Sequence, residues 1–230
     1  MKNLFFNKNK GKSDSSIGAG LRPGSNHFRA YVGPPEKYDL VAANQFNLLT
    51  MLGLRENHVL LDIGCGSLRG GRLFIPYLLP HRYFGIEPNE WLVEEGIKNN
   101  IGKDMLKIKH PKFNNNNNFT LSVFNTKFDF ILAQSIFSHA SKNQIKKCLS
   151  EAKKIMKPES LFVATFVKGD TNNDKDEWLY PECGSYTLEF LSSLIKEHGL
   201  SFKQLNWKHP NDQTWIVIFR NDFTNQIQDL

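Results

Sequence analysis

Short apolar segments alternate with longer amphipathic ones from residue 58 onward, and this alternation constrains the fold of the 230-residue chain more than any other feature. The predicted strands span 58–63, 83–87, 119–123, 128–133, 161–167, 201–207 and 214–219. The predicted helices between them span 69–79, 89–100, 142–156 and 187–198. This pattern predicts one α/β domain with a mostly parallel seven-stranded sheet and helices on both faces. Only six residues join the last two strands, so we expect that pair to be antiparallel.

The N-terminal segment departs from this pattern. Residues 1–30 mix Asn, Lys, Ser and Gly without periodicity, which predicts a mobile basic segment. They hold six basic side chains and one acidic one, and so account for five of the six net positive charges. An amphipathic helix is expected at 37–54. The predicted domain therefore covers 31–220 and leaves 221–230 as a C-terminal tail.

Charge and composition argue against several classes of partner. Residues 31–230 are nearly neutral, so no nucleic-acid partner is expected, and the lysines of the helix predicted at 142–156 indicate a solvated face. No segment contains the roughly 20 consecutive apolar residues of a transmembrane helix, so no membrane partner is expected. Asn7 and Lys8 interrupt the apolar N-terminal stretch, which argues against a signal peptide.

The three cysteines, at positions 65, 148 and 183, have neither disulfide nor metal-ligand spacing. They indicate reduced thiols and a cytoplasmic protein. The sequence therefore predicts no metal site.

The segment LDIGCGSLRG, residues 61–70, carries the strongest functional signal. Its Gly64 and Gly66 lack the Cβ atoms that keep a ligand away from the backbone. The second strand ends at Glu87, 21 residues after Gly66, and a carboxylate there can accept hydrogen bonds from both hydroxyls of a ribose. Ligands of open α/β sheets bind beyond the carboxyl ends of the strands. The two motifs together predict an adenosine-type cofactor.

The glycine pattern distinguishes between cofactors. A dinucleotide-binding motif would place its third glycine at position 69, which is Arg69, and the carboxylate of Asp62 is unfavourable beside a pyrophosphate. Asp62, Gly64 and Gly66 instead resemble the first motif of the class I S-adenosylmethionine-dependent methyltransferases, (Asp/Glu)-x-Gly-x-Gly-x-Gly, with Leu68 in place of the last glycine.

The resemblance covers about residues 37–220. It includes Glu87, the strand Phe128–Ala133, the segment Met156-Lys157-Pro158 and the closing antiparallel strand. It implies a Rossmann-like fold and S-adenosylmethionine as the cofactor.

The resemblance also implies where that cofactor binds. Glu87 would hold the ribose, Asn118 and Phe119 would flank the adenine, and the backbone near Ala133 or Gln134 would face the methionine amino group. The implied contacts are Asp62, Gly64, Cys65, Gly66, Arg69, Glu87, Pro88, Asn118, Phe119, Ala133, Gln134 and Tyr38. Arg69 either pairs with the methionine carboxylate or is a surface residue of the first helical turn. Tyr38 and Tyr31 either cover the cofactor or pack as core aromatics.

Two histidines are candidates for a catalytic base. His139 follows the fourth strand, where an acceptor faces the cofactor, and His209 lies between the last two strands at the same edge. The alternative for each is a structural histidine. The long connection 168–186 carries Trp178, Tyr180 and Tyr186, which suit a cover over an apolar or cyclic acceptor or pack beneath a surface loop.

These residues predict an enzyme that methylates a small-molecule acceptor, with oxygen favoured because His139 is available. Gln134-Ser135-Ile136-Phe137 stands where base amino-methyltransferases have Asn/Asp-Pro-Pro-Tyr/Phe, and the glutamate pair of protein arginine methyltransferases is lacking. A nicotinamide-dependent oxidoreductase and a non-catalytic adenosine-cofactor-binding protein stay open as alternatives. The acceptor and the oligomeric state do not follow from the sequence.

Overall fold

A computed structural model describes residues 15–221 and 223, which form a three-layer α/β structure. Seven strands form the sheet in the order β3-β2-β1-β4-β5-β8-β7. Their bounds are β1 Leu60–Ile63, β2 Tyr83–Ile86, β3 Lys112–Asn114, β4 Phe128–Ala133, β5 Met156–Lys168, β7 Leu200–Gln204 and β8 Thr214–Arg220. A two-residue strand, β6 Ser185–Tyr186, pairs with the end of β5.

The pairing confirms the predicted sheet. Strands β1 to β5 are mutually parallel, whereas β8 is antiparallel to both β5 and β7. The carboxyl ends of β1, β2 and β4 therefore meet at one edge, which places the loops after Ile63, Ile86 and Ala133 side by side.

Helices cover both faces of the sheet. They are α1 Tyr38–Met51, α2 Gly71–Tyr77, α3 Glu90–Gly96, α4 Lys103–Lys109, α5 Lys142–Ile155 and α6 Leu188–Glu197. Side chains alternate along each strand, so that Leu61 and Ile131 face α5 and α6 while Leu60 and Phe130 face α1 and α2. This alternation builds two hydrophobic layers, one on each side of the sheet.

Capping by side chains determines where two helices begin. Ser141 accepts a hydrogen bond from the Gln144 backbone N–H, and the Gln144 side chain accepts one from the Ser141 N–H, which makes a capping box at the start of α5. Thr187 caps α6 by accepting from the Phe190 N–H. Both helices begin within a residue of their predicted starts.

The predicted third strand at 119–123 is wrong. The strand paired with β2 lies earlier, at Lys112–Asn114, and Leu121–Phe124 is a 3₁₀ turn. Asparagine side chains in between bond to the local backbone: Asn114 accepts from the Asn116 N–H, and Asn116 accepts from the Thr120 N–H. These local bonds replace strand pairing and turn the chain.

Two helix predictions also differ from the structure. The helix predicted at 89–100 divides into α3 and a π-helical turn, Ile97–Ile101, and α4 follows it unpredicted. The helix predicted to start at position 69 begins at Gly71, so Arg69 lies in the loop before α2.

The described part of the N-terminal segment packs against the domain. We name residues 15–37 the strap; its Phe28 and Ala30 are buried, so the packed region begins before the predicted boundary at residue 31. The part of that segment before residue 15, and most of the predicted tail, lie outside the described residues. No helix in the described ranges is both long and apolar enough to cross a membrane.

Candidate active site

The glycine-rich turn after β1 has backbone geometry that only glycine adopts easily. Gly64 has φ +69°, and the N–H groups of Gly64 and Cys65 both donate to the Ile86 carbonyl, at 2.8 and 3.1 Å. A Cβ atom at Gly64 would overlap the Cδ1 atom of Ile136. The turn is therefore tied to β2 on one side and covered closely by the loop after β4 on the other.

Gly64→Ala should destabilise the fold strongly. A left-handed backbone costs a non-glycine residue about 1–2 kcal/mol, and the overlap with Ile136 adds about 1–3 kcal/mol of overpacking. Gly53→Ala is the matched control, because Gly53 has φ +99° but open space around its Cβ position. We expect urea unfolding to show the larger loss for Gly64→Ala; equal losses would mean that Ile136 does not restrict this turn.

Glu87 lies against the second glycine of the turn. Its Oε2 accepts from the Gly66 N–H at 3.0 Å, and its Oε1 accepts from the backbone and side-chain nitrogens of Asn89, both at 2.9 Å. Burial raises the pKa of this carboxyl, and the hydrogen bonds from Asn89 and Gly66 oppose that shift. The side chain is thus held at the end of β2, next to the glycine backbone.

A cavity of about 480 Å³ opens at this edge of the sheet. Six predicted cofactor contacts that precede β4 in the chain line this cavity: Gly64, Gly66, Arg69, Glu87, Pro88 and Phe119. Gln134 and His139 line it after β4. The cavity volume lies within the range of small-molecule sites.

The other predicted contacts lie outside the cavity lining. Asp62 is buried beneath the turn, where its Oδ2 accepts from the Tyr83 hydroxyl at 2.7 Å and burial raises its pKa to about 7. The Cys65 thiol faces Gly85 instead of the cavity, and Ala133 is a fully buried core residue. These residues shape the turn from below.

Tyr38 and Asn118 also lie elsewhere. Tyr38 is fully buried and its hydroxyl bonds with Ser67, while Tyr31 of the strap lines the cavity in its place. Asn118 is exposed and accepts from the Thr120 hydroxyl at 2.7 Å. Asn116 and Asn117 of the same asparagine run line the cavity instead.

Arg69 brings a buried positive charge to the cavity. Its NH1 donates to the Val32 carbonyl at 2.6 Å and its NH2 donates to Gln134 Oε1 at 2.5 Å. Its Nε is buried without a hydrogen-bond partner, and no carboxylate within the described ranges forms an ion pair with the guanidinium. Burial lowers its pKa, which the neighbouring Tyr38 and Asp62 oppose. Such a cation is suited to an anionic ligand.

Gln134 holds this side of the site together. Its Oε1 also accepts from Gln45 of α1 at 2.7 Å, and its Nε2 lies 3.1 Å from Nε2 of His209. His209 is therefore behind Gln134, outside the cavity lining, and burial lowers its pKa to about 4. The sequence did not predict a role for Gln45. Its polar side chain lies on the buried face of α1, between Val41 and Leu48, and this exception to the apolar pattern could have identified it.

His139 has its two ring nitrogens in different surroundings. Nδ1 lies 2.6 Å from the Glu182 carbonyl oxygen and donates its proton there, which leaves the lone pair on Nε2. Burial lowers the pKa of the imidazole, and the bond to Glu182 opposes that shift. The ring lines the cavity, so a neutral imidazole lies at the wall of the ligand space.

Comparisons with known proteins agree with this geometry. A family model described as a methyltransferase domain matches residues 61–162, which include the glycine turn, Glu87 and β4. The matched residues are a methyltransferase domain, which supports the resemblance to the class I S-adenosylmethionine-dependent methyltransferases. This resemblance implies S-adenosylmethionine as the methyl donor. No curated protein sequence matches the chain significantly.

Solved structures of this methyltransferase fold resemble the chain at low sequence identity. The magnesium protoporphyrin IX methyltransferase of Synechocystis PCC 6803, solved with bound S-adenosylmethionine, is 12% identical, with a TM-score of 0.62 and 81% of each chain covered. A methyltransferase of Clostridium acetobutylicum ATCC 824 is 15% identical, with a TM-score of 0.57 and coverage of 80% of this chain and 92% of that one. A glycopeptide N-methyltransferase is 6% identical, with a TM-score of 0.60 and coverage of 78% and 94%. At these sequence identities, the similarity to the three structures shows a shared fold.

Proposed function

We propose that this methyltransferase transfers the methyl group to a hydroxyl of a small molecule. The observation that carries the proposal is His139: its Nδ1–H is bonded to the Glu182 carbonyl, and its ring lines the cavity. A hydroxyl is a weak nucleophile until its proton is removed, and neutral imidazole is the side chain suited to that task near neutral pH.

The donor-binding half of the cavity fits the chemistry of S-adenosylmethionine. Glu87 would accept hydrogen bonds from the ribose hydroxyls, and Phe119 and Asn117 would lie against the adenine. The buried guanidinium of Arg69, with its unpartnered Nε, would hold the methionine carboxylate. A Cβ atom at Gly66 would lie 2.7 Å from Val32, so the close approach of backbone and strap depends on glycine.

The bound donor supplies an electrophilic methyl group: a lone pair of the acceptor oxygen forms the new O–C bond, and the S–C bonding pair stays on sulfur. His139 Nε2 accepts the proton of that hydroxyl, so no alkoxide has to form free in the cavity. The Glu182 carbonyl stabilises the resulting imidazolium through the Nδ1–H bond. The fold's further contribution is to hold the reactants in line in a site that excludes water.

The surface charges support a small acceptor more than a nucleic acid. Two lysines of α5, Lys147 and Lys154, pair with Glu151, and Lys157, just beyond the helix, pairs with Asp129. The cavity is also partly covered by the strap and by residues 169–184, which we name the insertion loop. A covered cavity of this size favours a small ligand.

Calorimetric titration tests the donor half of the proposal. The purified protein should bind S-adenosylhomocysteine saturably and should not bind nicotinamide adenine dinucleotide. Methyl transfer is then measured with tritium-labelled S-adenosylmethionine over a panel of small alcohols and phenols, thiols, amines and carboxylic acids. Binding of the dinucleotide alone would contradict the proposal, and so would transfer confined to amines or thiols.

Glu87→Ala should weaken binding of S-adenosylhomocysteine by about 1–3 kcal/mol, because the variant loses a charged hydrogen-bond acceptor. Glu94→Ala is the control, since Glu94 is an exposed residue of the neighbouring helix α3. Calorimetry should give near-normal affinity for the control variant. Unchanged affinity in Glu87→Ala would remove this carboxylate from the donor site.

A further inference from the structure

A row of aromatic rings lies along the cavity. Trp91 packs edge-on against Tyr31 at 5.2 Å between ring centroids, and Tyr31 lies 5.2 Å from Tyr180. Tyr180 meets His139 edge-to-face at 4.9 Å, and His139 lies 5.6 Å from Trp178. All except Trp91 line the cavity. The strap, the insertion loop and the loop after β4 thus contribute one continuous aromatic surface.

Hydrogen bonds hold the insertion loop to the turn that carries His139. The Leu179 N–H donates to the His139 carbonyl and the Gly184 N–H donates to the Ser138 carbonyl, both at 2.8 Å. The His139 ring donates in return to Glu182. Because these bonds bracket Tyr180 on both sides along the chain, they fix its ring relative to the imidazole.

The Tyr180 hydroxyl differs from other tyrosine hydroxyls of the domain. Its oxygen is buried without a hydrogen-bond partner among the residues that the structure describes. By contrast, the hydroxyls of Tyr77, Tyr83 and Tyr186 donate to Leu54, Asp62 and Ala140. Burial raises the pKa of Tyr180 to about 12, so this hydroxyl keeps its proton and remains a donor. An unpaired buried donor on a side chain that lines a ligand cavity is suited to a ligand oxygen.

We propose that Tyr180 binds the acceptor and that the acceptor is a phenol, with its ring against the aromatic row and its oxygen between the Tyr180 hydroxyl and His139 Nε2. This inference rests on the proposed O-methylation and names its substrate class.

The hydrogen-bonding requirements distinguish between acceptor classes. A hydroxyl can accept from Tyr180 through one lone pair while it donates its proton to His139. An ammonium group has no lone pair and cannot accept from Tyr180. On reaction the phenol proton passes to His139 Nε2, the phenol oxygen forms the bond to the methyl carbon, and Tyr180 keeps its own proton throughout.

The aromatic row favours a planar ring over a saturated one. Aromatic pairs gain stabilisation beyond that of the area that they bury, which a saturated ring of the same size does not gain. Phenol, cyclohexanol and benzylamine are therefore the probes: the first two share a ring size and a hydroxyl, and the third has an aromatic ring with an amine. Their binding to the protein saturated with S-adenosylhomocysteine is measured by ligand-observed NMR.

We expect phenol to bind severalfold more tightly than cyclohexanol or benzylamine and to accept tritium from labelled S-adenosylmethionine. Tyr180→Phe should weaken phenol binding about tenfold through loss of one hydrogen bond, with unchanged affinity for S-adenosylhomocysteine. Tyr186→Phe is the matched control, because its hydroxyl bonds to the Ala140 carbonyl and does not line the cavity. It should leave phenol affinity unchanged.

The outcomes separate this inference from the proposed function. Phenol binding that is absent, that is no tighter than cyclohexanol or benzylamine binding, or that Tyr180→Phe leaves unchanged would overturn the phenol assignment. In each of these cases O-methylation itself survives if the protein still binds S-adenosylhomocysteine and methylates another hydroxyl. Failure to bind S-adenosylhomocysteine would instead overturn the donor site on which both proposals depend.

Discussion

Replacing His139 by asparagine should lower turnover about 10²- to 10⁴-fold, the usual contribution of a general base. In the native protein the Glu182 carbonyl accepts the Nδ1–H of His139. Asparagine suits the test because its amide N–H can donate to the same carbonyl. The variant therefore keeps the anchor of the insertion loop while it loses the imidazole ring with its basic Nε2 atom. Tritium transfer to the acceptor that the screen identifies measures the effect, and calorimetry should show near-normal affinity for S-adenosylhomocysteine.

The pH dependence gives this prediction a second readout. A base acts only when neutral, and burial lowers the pKa of His139 below its ordinary value of 6.5. Activity should therefore fall on the acidic side, with a midpoint below 6.5, and the asparagine variant should lack that limb.

A second histidine serves as the control for this prediction. His198 also has its Nδ1 near a carbonyl, that of Leu194 at 2.8 Å, but it does not line the cavity. His198→Asn should keep both the turnover and the acidic limb. Normal turnover in His139→Asn would make His139 a structural anchor of the loop.

The parts of the fold and site that could be predicted from the sequence are those whose cause is local. A positive φ at Gly64 and a carboxylate at the end of β2 follow from residue types within a few positions. The strand Phe128–Ala133 lies at its predicted bounds because an apolar run interrupted only by Asp129 suits a strand buried on both faces.

The parts that could not be predicted depend on contacts between distant segments. Tyr38 and Tyr31 are both aromatic residues near the start of α1, and only packing shows that Tyr31 reaches the cavity. Within the asparagine run, the sequence cannot tell Asn117 from Asn118, because identical neighbours differ only in which way the turn directs them. The bond between Val32 and Arg69 joins residues 37 positions apart, and no spacing signals it.

Arg69→Met should separate stability from donor binding more clearly than any other substitution in the site. Burying an unpaired charge is costly, whereas a methionine of similar length fills the space without that cost. We expect the unliganded variant to unfold at a temperature no lower than that of the native chain. Its affinity for S-adenosylhomocysteine should fall about 10- to 100-fold, because a charged hydrogen bond to the carboxylate contributes about 1.5–3 kcal/mol.

A ligand without the carboxylate makes the Arg69 test specific. Methylthioadenosine keeps the adenine, the ribose and the sulfur but lacks the amino-acid end, so Arg69→Met should bind it as tightly as the native protein does. Glu87→Ala should lose affinity for both ligands, since both contain the ribose. Arg72→Met is the matched control: its guanidinium pairs with Asp39 at 2.5 Å outside the cavity, so it should leave both affinities unchanged. Equal losses for the two ligands in Arg69→Met would show that Arg69 supports the pocket through Val32 and Gln134 and does not bind the carboxylate.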